Sequence, residues 1–499
     1  MDLFSRLWQF KGSKWWTRFE LTNAPLPDPQ LQLAWQSLQW GIVFVSWNIV
    51  FAIVPLLMVI GITWYHRFQQ IVRTRITQGF GLFILCLLIV SIFALNPLES
   101  CLGIFNFIPF IMMFAGTAVL IQKPEQLRRL AWLLVIGAIP AIAIGLGQFY
   151  LGWSTYTNFD LSRLVVEGSD TPDRMTATFK HANLFANYLA IVFAIAGGLW
   201  LDTHQRYRSL LKPKSSQAID RSCSQHVDRI LKIRSSFLWG ILILTTSCLF
   251  LSNSRNGWIA AIASALAFAS YLGKRGIVAI VTGLTATFVW AAFGPNPIQT
   301  WLRWIVPRAI WARLNGEMFP NQVEAEMRTT IWQVAINLTQ QRPWTGWGLQ
   351  SFGKLYEAQT HLWLGHPHNL VLMLTASVGI PIALFFLGLV GWVLAQGVLC
   401  LSGRMHPEGN RSNNESSPKS LRLTAPDRLI LFTYLTAFGC CMIFQTTDVT
   451  IFDPRINFLG WFLLAAILGV VRGTRKEALQ TPESNRRSEL ELTENLDHE

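Results

Sequence analysis

Two histidines precede a long apolar run in the second half of the chain, where residues 366–381 read HPHNLVLMLTASVGIP. A neutral imidazole accepts a proton near neutral pH, so His368 is a candidate general base for an acceptor hydroxyl. The alternative interpretation is that HPHN only starts a helix, with Asn369 as the cap. The two interpretations differ in whether His368 faces a ligand.

Two arginines are candidates for binding an anion, Arg255 at a predicted helix start and Arg328 on the apolar face of a predicted amphipathic helix, in the row 324, 328, 331, 335 and 338. Arg255 stands in SNSRNGWIAAIASALAF, residues 252–268, where a polar turn runs directly into an apolar segment. Arg328 lies one turn before Ile331, the first residue of an apolar stripe. A helix start favours anions, and the planar guanidinium fork suits a phosphate group. The alternative for Arg255 is an arginine that snorkels at the membrane edge.

A third polar cluster precedes the apolar segment in RMTATFKHANLFANYLA, residues 174–190. Its candidate ligand-binding residues are Arg174, Lys180, His181, Asn183 and Asn187. Asn183 and Asn187 are one helical turn apart, so both amides can face a common cavity. A helix cap and two packing amides are the alternative.

These clusters are rich in Arg, His and Asn and contain few carboxylates, which predicts an anionic ligand. A divalent cation is disfavoured. His361, His366, His368 and Glu357 have side chains that can in principle bind zinc. Their spacing matches no fixed zinc pattern, so we predict no metal site.

The composition indicates a polytopic membrane protein, because 52% of the 499 residues are hydrophobic and only 14% are charged. We predict an all-α integral membrane protein with eleven or twelve transmembrane helices. Residues 37–65 form either one tilted span or a tight hairpin. The other predicted spans lie near 80–95, 102–121, 129–150, 183–202, 236–252, 256–273, 276–294, 369–396, 429–449 and 456–472.

The distribution of Lys and Arg predicts the orientation of these spans. The basic loop 203–236 should be cytoplasmic, and the loop 295–367 should be external. Residues 1–36 form a basic cytoplasmic segment, which favours the hairpin and twelve spans. Residues 37–472 form the membrane domain, and residues 473–499 a cytoplasmic, disordered tail. The net charge of +13 follows from this bias, so it implies no nucleic acid.

The external loop 295–367 is predicted to contain amphipathic helices that lie on the membrane surface as a lid. One carries the stripe Ile331, Val334, Ala335 and Leu338 and ends at Arg342-Pro343. A second, interfacial helix is indicated by three tryptophans alternating with arginines. These are Trp301, Trp304 and Trp311 with Arg303, Arg308 and Arg313.

Four motifs together resemble the O-antigen ligase and O-antigen polymerase superfamily over about residues 170–450. They are His368-Asn369 followed after nine residues by Gly379, SNSRNGW, RTTIWQVAINLTQQRPWTGWGLQSF at 328–352, and FKHANLFANYL, which resembles NPNxxAxxL. Two positions depart from the pattern: His181 replaces the Asn-Pro pair, and Ile382 stands where Gly, Thr or Tyr is common.

The resemblance implies an inverting, metal-independent glycosyltransferase without a cofactor, in the bacterial inner membrane. Its donor would be a glycan on a polyprenyl diphosphate, and its acceptor lipid A core or a second lipid-linked glycan. A leaving diphosphate gains negative charge, which Arg255 and Arg328 can stabilise. His368 would be the base. Membrane lipids surround the chain.

Two other classes remain open at the level of sequence. Some chains that resemble this superfamily have been linked to bicarbonate uptake, so an outward cavity lined by arginines is compatible with transport of an inorganic anion. A transporter needs polar residues deep within spans and often has repeated halves, and neither is evident. A non-catalytic scaffold for glycan export is the third possibility.

Overall fold

The computed structural model describes residues 28–153, 174–211, 221–318, 327–403 and 423–496, which form helices and no strands. The helices of the first half are α1 (Gln32–Phe44), α2 (Ile49–Val72), α3 (Arg75–Ile92), α4 (Pro97–Gly103), α5 (Ile108–Leu120), α6 (Pro124–Leu151), α7 (Ala182–Leu211) and α8 (Arg221–Leu251). Those of the second half are α9 (Arg255–Tyr271), α10 (Arg275–Phe293), α11 (Ile298–Ile305), α12 (Arg308–Asn315), α13 (Arg328–Gln341), α14 (Phe352–Thr360), α15 (Leu370–Val378), α16 (Ile380–Ser402), α17 (Ala425–Gln445) and α18 (Pro454–Leu496).

Ten helical segments of the described chain are long and apolar enough to cross a membrane, which makes this an all-α integral membrane protein. Eleven or twelve were predicted. Two predicted spans are shorter than the others, since α1 has 13 residues and α9 has 17. A full crossing takes about 20 residues. Both short helices nevertheless pack within the bundle, α1 against α2 and α9 against α7 and α17.

The hairpin interpretation of residues 37–65 is confirmed. Helix α1 ends at Phe44, and α2 begins at Ile49 after Asn48 caps it by accepting a hydrogen bond from the backbone of Val50. At the other end of the hairpin, Asp28 forms an ion pair with Arg67 of α2. The two arms are therefore antiparallel and end at the same level.

The centre of the bundle is formed by α18, which is 89% buried over its membrane-length segment and packs against α5, α16 and α17. The outermost segment is α10, which is 11% buried. Small residues permit the tight packing between central helices, since Gly198 of α7 lies against Thr433 of α17. The polar ends of these buried helices are consequently held in fixed positions.

The predicted span 369–396 is wrong in one respect, because it consists of two helices. Helix α15 ends at Val378, and Gly379 then takes a φ of +81° before α16 begins. The turn RPWTGWG lies against this break. Its Trp347 and Gly348 amides donate to the carbonyls of Ala376 and Ser377, and Ile380 donates to the carbonyl of Pro343. These hydrogen bonds hold the ends of α15 and α16 against the external loop.

We expect Gly379→Ala to destabilise the protein, by about 1–3 kcal/mol for the backbone conformation alone. An added Cβ would lie 2.3 Å from the carbonyl oxygen of Trp344, so the turn must also shift. Thermal unfolding in detergent measures the change. Gly388→Ala in α16 is the matched control, since a Cβ there meets nothing within 4 Å. Equal melting temperatures for both variants would contradict this explanation of the break.

The external loop contains the predicted amphipathic helix as α13, in which Ile331, Val334, Ala335 and Leu338 are all buried. This prediction is confirmed, including the end of the helix at Arg342. The second predicted helix is two helices of eight residues, α11 and α12, because Pro307 interrupts it. Trp301 and Trp304 are exposed on α11, whereas Trp311 lies under the guanidinium of Arg303. Residues 319–326 lie outside the described chain.

Two predicted non-membrane segments contain more helix than expected. Helix α7 continues to Leu211 and α8 begins at Arg221, so the predicted loop 203–236 is helical on both sides of residues 212–220, which lie outside the described chain. Helix α18 continues to Leu496, through the segment predicted to be a disordered tail. Residues 1–27 of the predicted cytoplasmic segment 1–36 lie outside the described residues, as do residues 154–173.

Cysteine labelling tests the orientation. Arg308 on α12 and Lys274 before α10 are both exposed, and they lie on opposite sides of the predicted membrane. In a Cys101→Ser background, which removes an exposed native thiol, we expect an impermeant maleimide to modify Arg308→Cys in intact cells. Lys274→Cys should react only after the membrane is opened, because Lys and Arg loops stay inside. The opposite pattern would reverse the topology.

Candidate active site

The candidate site lies where four separate segments meet at one end of the bundle. Asn183 is at the start of α7, Arg255 begins α9 after a tight turn, His368 precedes α15, and Asp448 follows α17. Arg328 begins α13 of the external loop. Helices of the bundle position Asn183, Arg255 and Asp448, and the external loop positions His368 and Arg328.

His368 and Asp448 form the core of the site. Nδ1 of His368 lies 3.1 Å from a carboxylate oxygen of Asp448, and both side chains are partly exposed, at 32% and 13%. Because an ionised carboxylate only accepts hydrogen bonds, it favours the tautomer of the neutral imidazole in which Nδ1 carries the hydrogen and Nε2 keeps its lone pair. The pair therefore presents Nε2 of His368 as a proton acceptor.

Asp448 is held as an anion. Burial alone would raise the pKa of Asp448. The hydrogen bond and charge of His368, the charge of His366 and the Val449 amide outweigh burial and lower this pKa to about 2. The amide of Asn183 donates to the second carboxylate oxygen at 3.1 Å, and the backbone of Val449 donates to the first at 2.8 Å. Each oxygen is thus fixed, and the carboxylate can orient the imidazole without itself titrating near neutral pH.

The backbone of His368 is strained, with a φ of +51°. Non-glycine residues with this conformation require support from their surroundings and occur often at functional sites. His366 supplies part of that support, because its Nδ1 accepts the amide hydrogen of His368 and its ring stacks on Phe452. Burial and the neighbouring histidines lower the pKa of His366 to about 4, against the opposing effect of Asp448. His366 is therefore neutral at neutral pH.

Four arginines converge beside this pair. Burial lowers the pKa of Arg313 to about 10, and the positive charges of Arg174, Arg255 and Arg328 contribute to that shift. The pKa of Arg328 is lowered by burial and by Arg255, and raised by Asp448. Four half-buried guanidiniums beside Asp448 make the described part of the site strongly positive. Such a site favours a ligand with more than one negative charge.

Two of these arginines join the external loop to the bundle. Arg313 of α12 donates from Nε to the carbonyl oxygen of Asn253 at 2.9 Å. In the reverse direction, Arg255 donates to the carbonyl oxygen of Leu314 at 3.4 Å. Asn253 has a φ of +51°, so this turn is also strained. The guanidiniums are consequently aimed by contacts between the SNSRN turn and the loop.

A chain of hydrogen bonds connects the arginines to the histidine. Arg174 donates to the carbonyl of Ser252 and to Oδ1 of Asn183, which also accepts from the Ser254 hydroxyl. Asn183 in turn donates to Asp448. Asn183 is thus central to the site, and the predicted alternative of a plain helix cap does not describe its contacts.

The remaining candidate residues lie farther from this network. Lys180 and His181 are exposed at the entrance of α7, where charge from His181 reaches His366. Asn187 is fully buried one turn deeper and donates to Thr450, as a packing amide does. Asn369 caps α15 by accepting from Leu372, and it donates to the carbonyl of Thr446. Asn369 therefore holds the segments of His368 and Asp448 together.

One group of possible metal ligands occurs in the described residues: His366, His368 and Asp448, whose ligand atoms lie within 4.8 Å of one another. It differs from the possible zinc ligands considered in the sequence, because it contains Asp448 and lacks His361 and Glu357. The His366 and His368 Nδ1 atoms and the Asp448 oxygens already take part in hydrogen bonds at the site. The adjacent guanidiniums also repel a dication. The arrangement suits proton transfer better than metal binding.

Sequence reasoning missed Asp448 and Arg313. Asp448 is a carboxylate directly after an apolar span, in FQTTDVTIFDPR, at the end of the bundle where carboxylates are few. That position was an available signal. Arg313 was assigned to an interfacial helix, and its place beside Arg255 depends on how the loop folds back.

Residues 240–387 match the family model described as O-antigen ligase. The match confirms the resemblance to the O-antigen ligase and polymerase superfamily. It contains Arg255, Arg328 and His368, and it ends before Asp448. No curated protein matches the chain. This match, together with ten membrane-length helices, supports O-antigen ligase-like glycan transfer by a multi-pass membrane protein.

Proposed function

We propose that this protein transfers a glycan from a polyprenyl-diphosphate carrier to a hydroxyl group of an acceptor, with inversion at the anomeric carbon. The reaction takes place at the outer face of the bacterial inner membrane. The acceptor is lipid A core or a second lipid-linked glycan. The observation that carries this proposal is a histidine–carboxylate pair facing four guanidiniums.

The acceptor hydroxyl loses its proton to Nε2 of His368 as its oxygen bonds to the anomeric carbon. The bond from that carbon to the diphosphate oxygen breaks, and the electron pair leaves with the polyprenyl diphosphate. Asp448 stabilises the imidazolium that forms, as in other histidine–carboxylate pairs. A single displacement from the face opposite the leaving group inverts the configuration.

Arg255 and Arg328 bind the diphosphate and stabilise the charge that develops on it. They act as preorganised donors, because the contact of Arg255 with Leu314 and the position of Arg328 at the start of α13 fix their locations. Arg174 is joined to the site by its hydrogen bond to Asn183. The positive charge of these side chains supplies what a magnesium ion supplies in many diphosphate enzymes.

Asp448→Asn is expected to reduce transfer about ten-fold or more, because an amide can hold His368 in the wrong tautomer. The carboxylate has a pKa of about 2 and stays ionised throughout the working range. Turnover of purified protein at saturating donor measures the effect. Asp453→Asn is the control, as that carboxylate pairs with Arg455. An unchanged rate in Asp448→Asn would remove the carboxylate from the mechanism.

The function is tested with protein reconstituted in liposomes, supplied with a lipid-linked glycan and an acceptor. We expect a product with inverted anomeric configuration, determined by NMR, and an unchanged rate in the presence of a chelator. Retention of configuration, or loss of activity with a chelator, would contradict the mechanism. Passage of an inorganic anion without any glycan product would instead favour the transporter.

Envelope glycans from a deletion strain separate the two possible acceptors. Loss of all capped lipid A indicates a ligase. Caps of a single repeat unit indicate a polymerase.

A further inference from the structure

A second polar cavity lies at the end of the bundle opposite the candidate active site, on the side predicted to be cytoplasmic. Its volume is about 350 Å³. We call it the basal cavity. The residues that define it are Asp28, Arg67, Leu120, Lys123, Gln126 and Lys476.

Positive charge dominates the basal cavity. Arg67, Lys123 and Lys476 line it, and among its described lining residues Asp28 is the only carboxylate. Asp28 is already paired with Arg67. Neither Lys123 nor Lys476 forms an ion pair with a described residue. The cavity therefore has the charge to hold an anion.

Close backbone packing brings the two lysines together. Gly469 and Gly473 of α18 lie so near the carbonyls of Ile121 and Gln122 that an added Cβ would be about 2 Å away. Lys476 follows less than one turn later, beside Lys123. The amide of Gln126 fixes this turn by accepting from the backbones of Gln122 and Lys123. The backbone that carries both lysines is thus fixed, while their side chains are exposed.

The cavity lies at the edge of the apolar surface of the bundle. Leu31, Val119 and Leu120 contribute its apolar wall. On α2, Tyr65 and Phe68 flank Arg67 and are 84% and 56% exposed. Exposed aromatic side chains beside a cation are typical of the headgroup level of a membrane. This position favours a ligand that carries both a phosphate and acyl chains.

We propose that the basal cavity binds the phosphate of an anionic phospholipid headgroup. Basic pockets between helices on the cytoplasmic side are suited to such headgroups. The segment before Asp28 does not have the negative charge that would complement the basal cavity. It carries Arg6, Lys11, Lys14 and Arg18 against Asp2 and Glu20. Its net positive charge would add to the attraction for an anionic lipid.

The test compares two variants with equal loss of charge in the full chain. Lys123→Gln/Lys476→Gln removes charge from the cavity, and Lys274→Gln/Arg275→Gln removes it from exposed positions on the same predicted side. Native mass spectrometry with phosphatidylglycerol measures bound lipid. We expect affinity to fall about 25-fold in the first variant, at roughly five-fold for each of the two charges. In the second variant it should change little.

Two outcomes would overturn the proposal: equal losses in both variants, which would show only a general charged surface, or no loss in the cavity variant. Thermal stabilisation by soluble glycerol phosphate distinguishes a lipid headgroup from a free phosphate compound. We expect glycerol phosphate to stabilise the protein only weakly. Strong stabilisation that disappears in Lys123→Gln/Lys476→Gln would assign the cavity to a soluble phosphate instead of a lipid.

Discussion

Replacement of His368 by alanine is expected to reduce glycan transfer about 1,000-fold, within the range that general-base catalysis contributes. The Asp448 carboxylate fixes Nδ1 as the protonated nitrogen and leaves Nε2 to accept the proton of the acceptor hydroxyl. Insertion and donor binding should persist, since the guanidiniums that hold the diphosphate remain. Single-turnover rates with saturating donor and acceptor measure the loss.

Two other histidines of the same loop are the controls for His368. His361 is exposed at the end of α14, so His361→Ala should leave transfer unchanged. His366→Ala should have a smaller effect than His368→Ala, because His366 supports the backbone of His368 and stacks on Phe452. Wild-type turnover in His368→Ala would show that the imidazole is not the base.

Arg255→Lys and Arg328→Lys are each expected to reduce transfer on the order of 100-fold, as loss of a preorganised donor to a developing anion does. A lysine keeps the charge and loses the planar fork that binds a diphosphate through two hydrogen bonds. Both arginines are half-buried next to Arg313, so their geometry is restricted. The rate constant for the chemical step is the quantity to compare.

Arg308→Lys is the matched control for these two variants, because Arg308 belongs to the same external loop and is exposed. It should retain the rate of the unmodified chain. Melting temperatures of all three variants should agree within a few degrees, which separates a loss of chemistry from a loss of folding. Normal transfer by both Arg255→Lys and Arg328→Lys would show that the two guanidiniums do not stabilise the leaving diphosphate.

Most of the correct predictions about the fold and the candidate site came from local sequence patterns. Hydropathy identified the helical bundle, because a membrane span needs about 20 apolar residues and leaves a continuous signal. The stripe from Ile331 to Leu338 identified α13, since its period is that of a helix. Arg255 and His368 stood out because polar residues directly before an apolar segment mark helix starts.

Features that depend on contacts between distant segments could not be predicted in this way. Asp448 lies 80 residues after His368, and no spacing rule joins them. The break at Gly379 lies inside a continuous apolar run, so hydropathy does not register it. Its cause is the close approach of Trp344, which only the folded chain supplies. The same holds for Arg313, which reaches Asn253 across the loop.

Because of the break at Gly379, the nine-residue helix α15 is held at both ends, and its length sets the distance between them. Its start is fastened to Thr446 through Asn369, and its end to the turn after Pro343. One inserted residue would rotate the start by about 100° and move it about 1.5 Å along the axis. His368 would then leave Asp448. The length of α15 therefore sets the contact between His368 and Asp448.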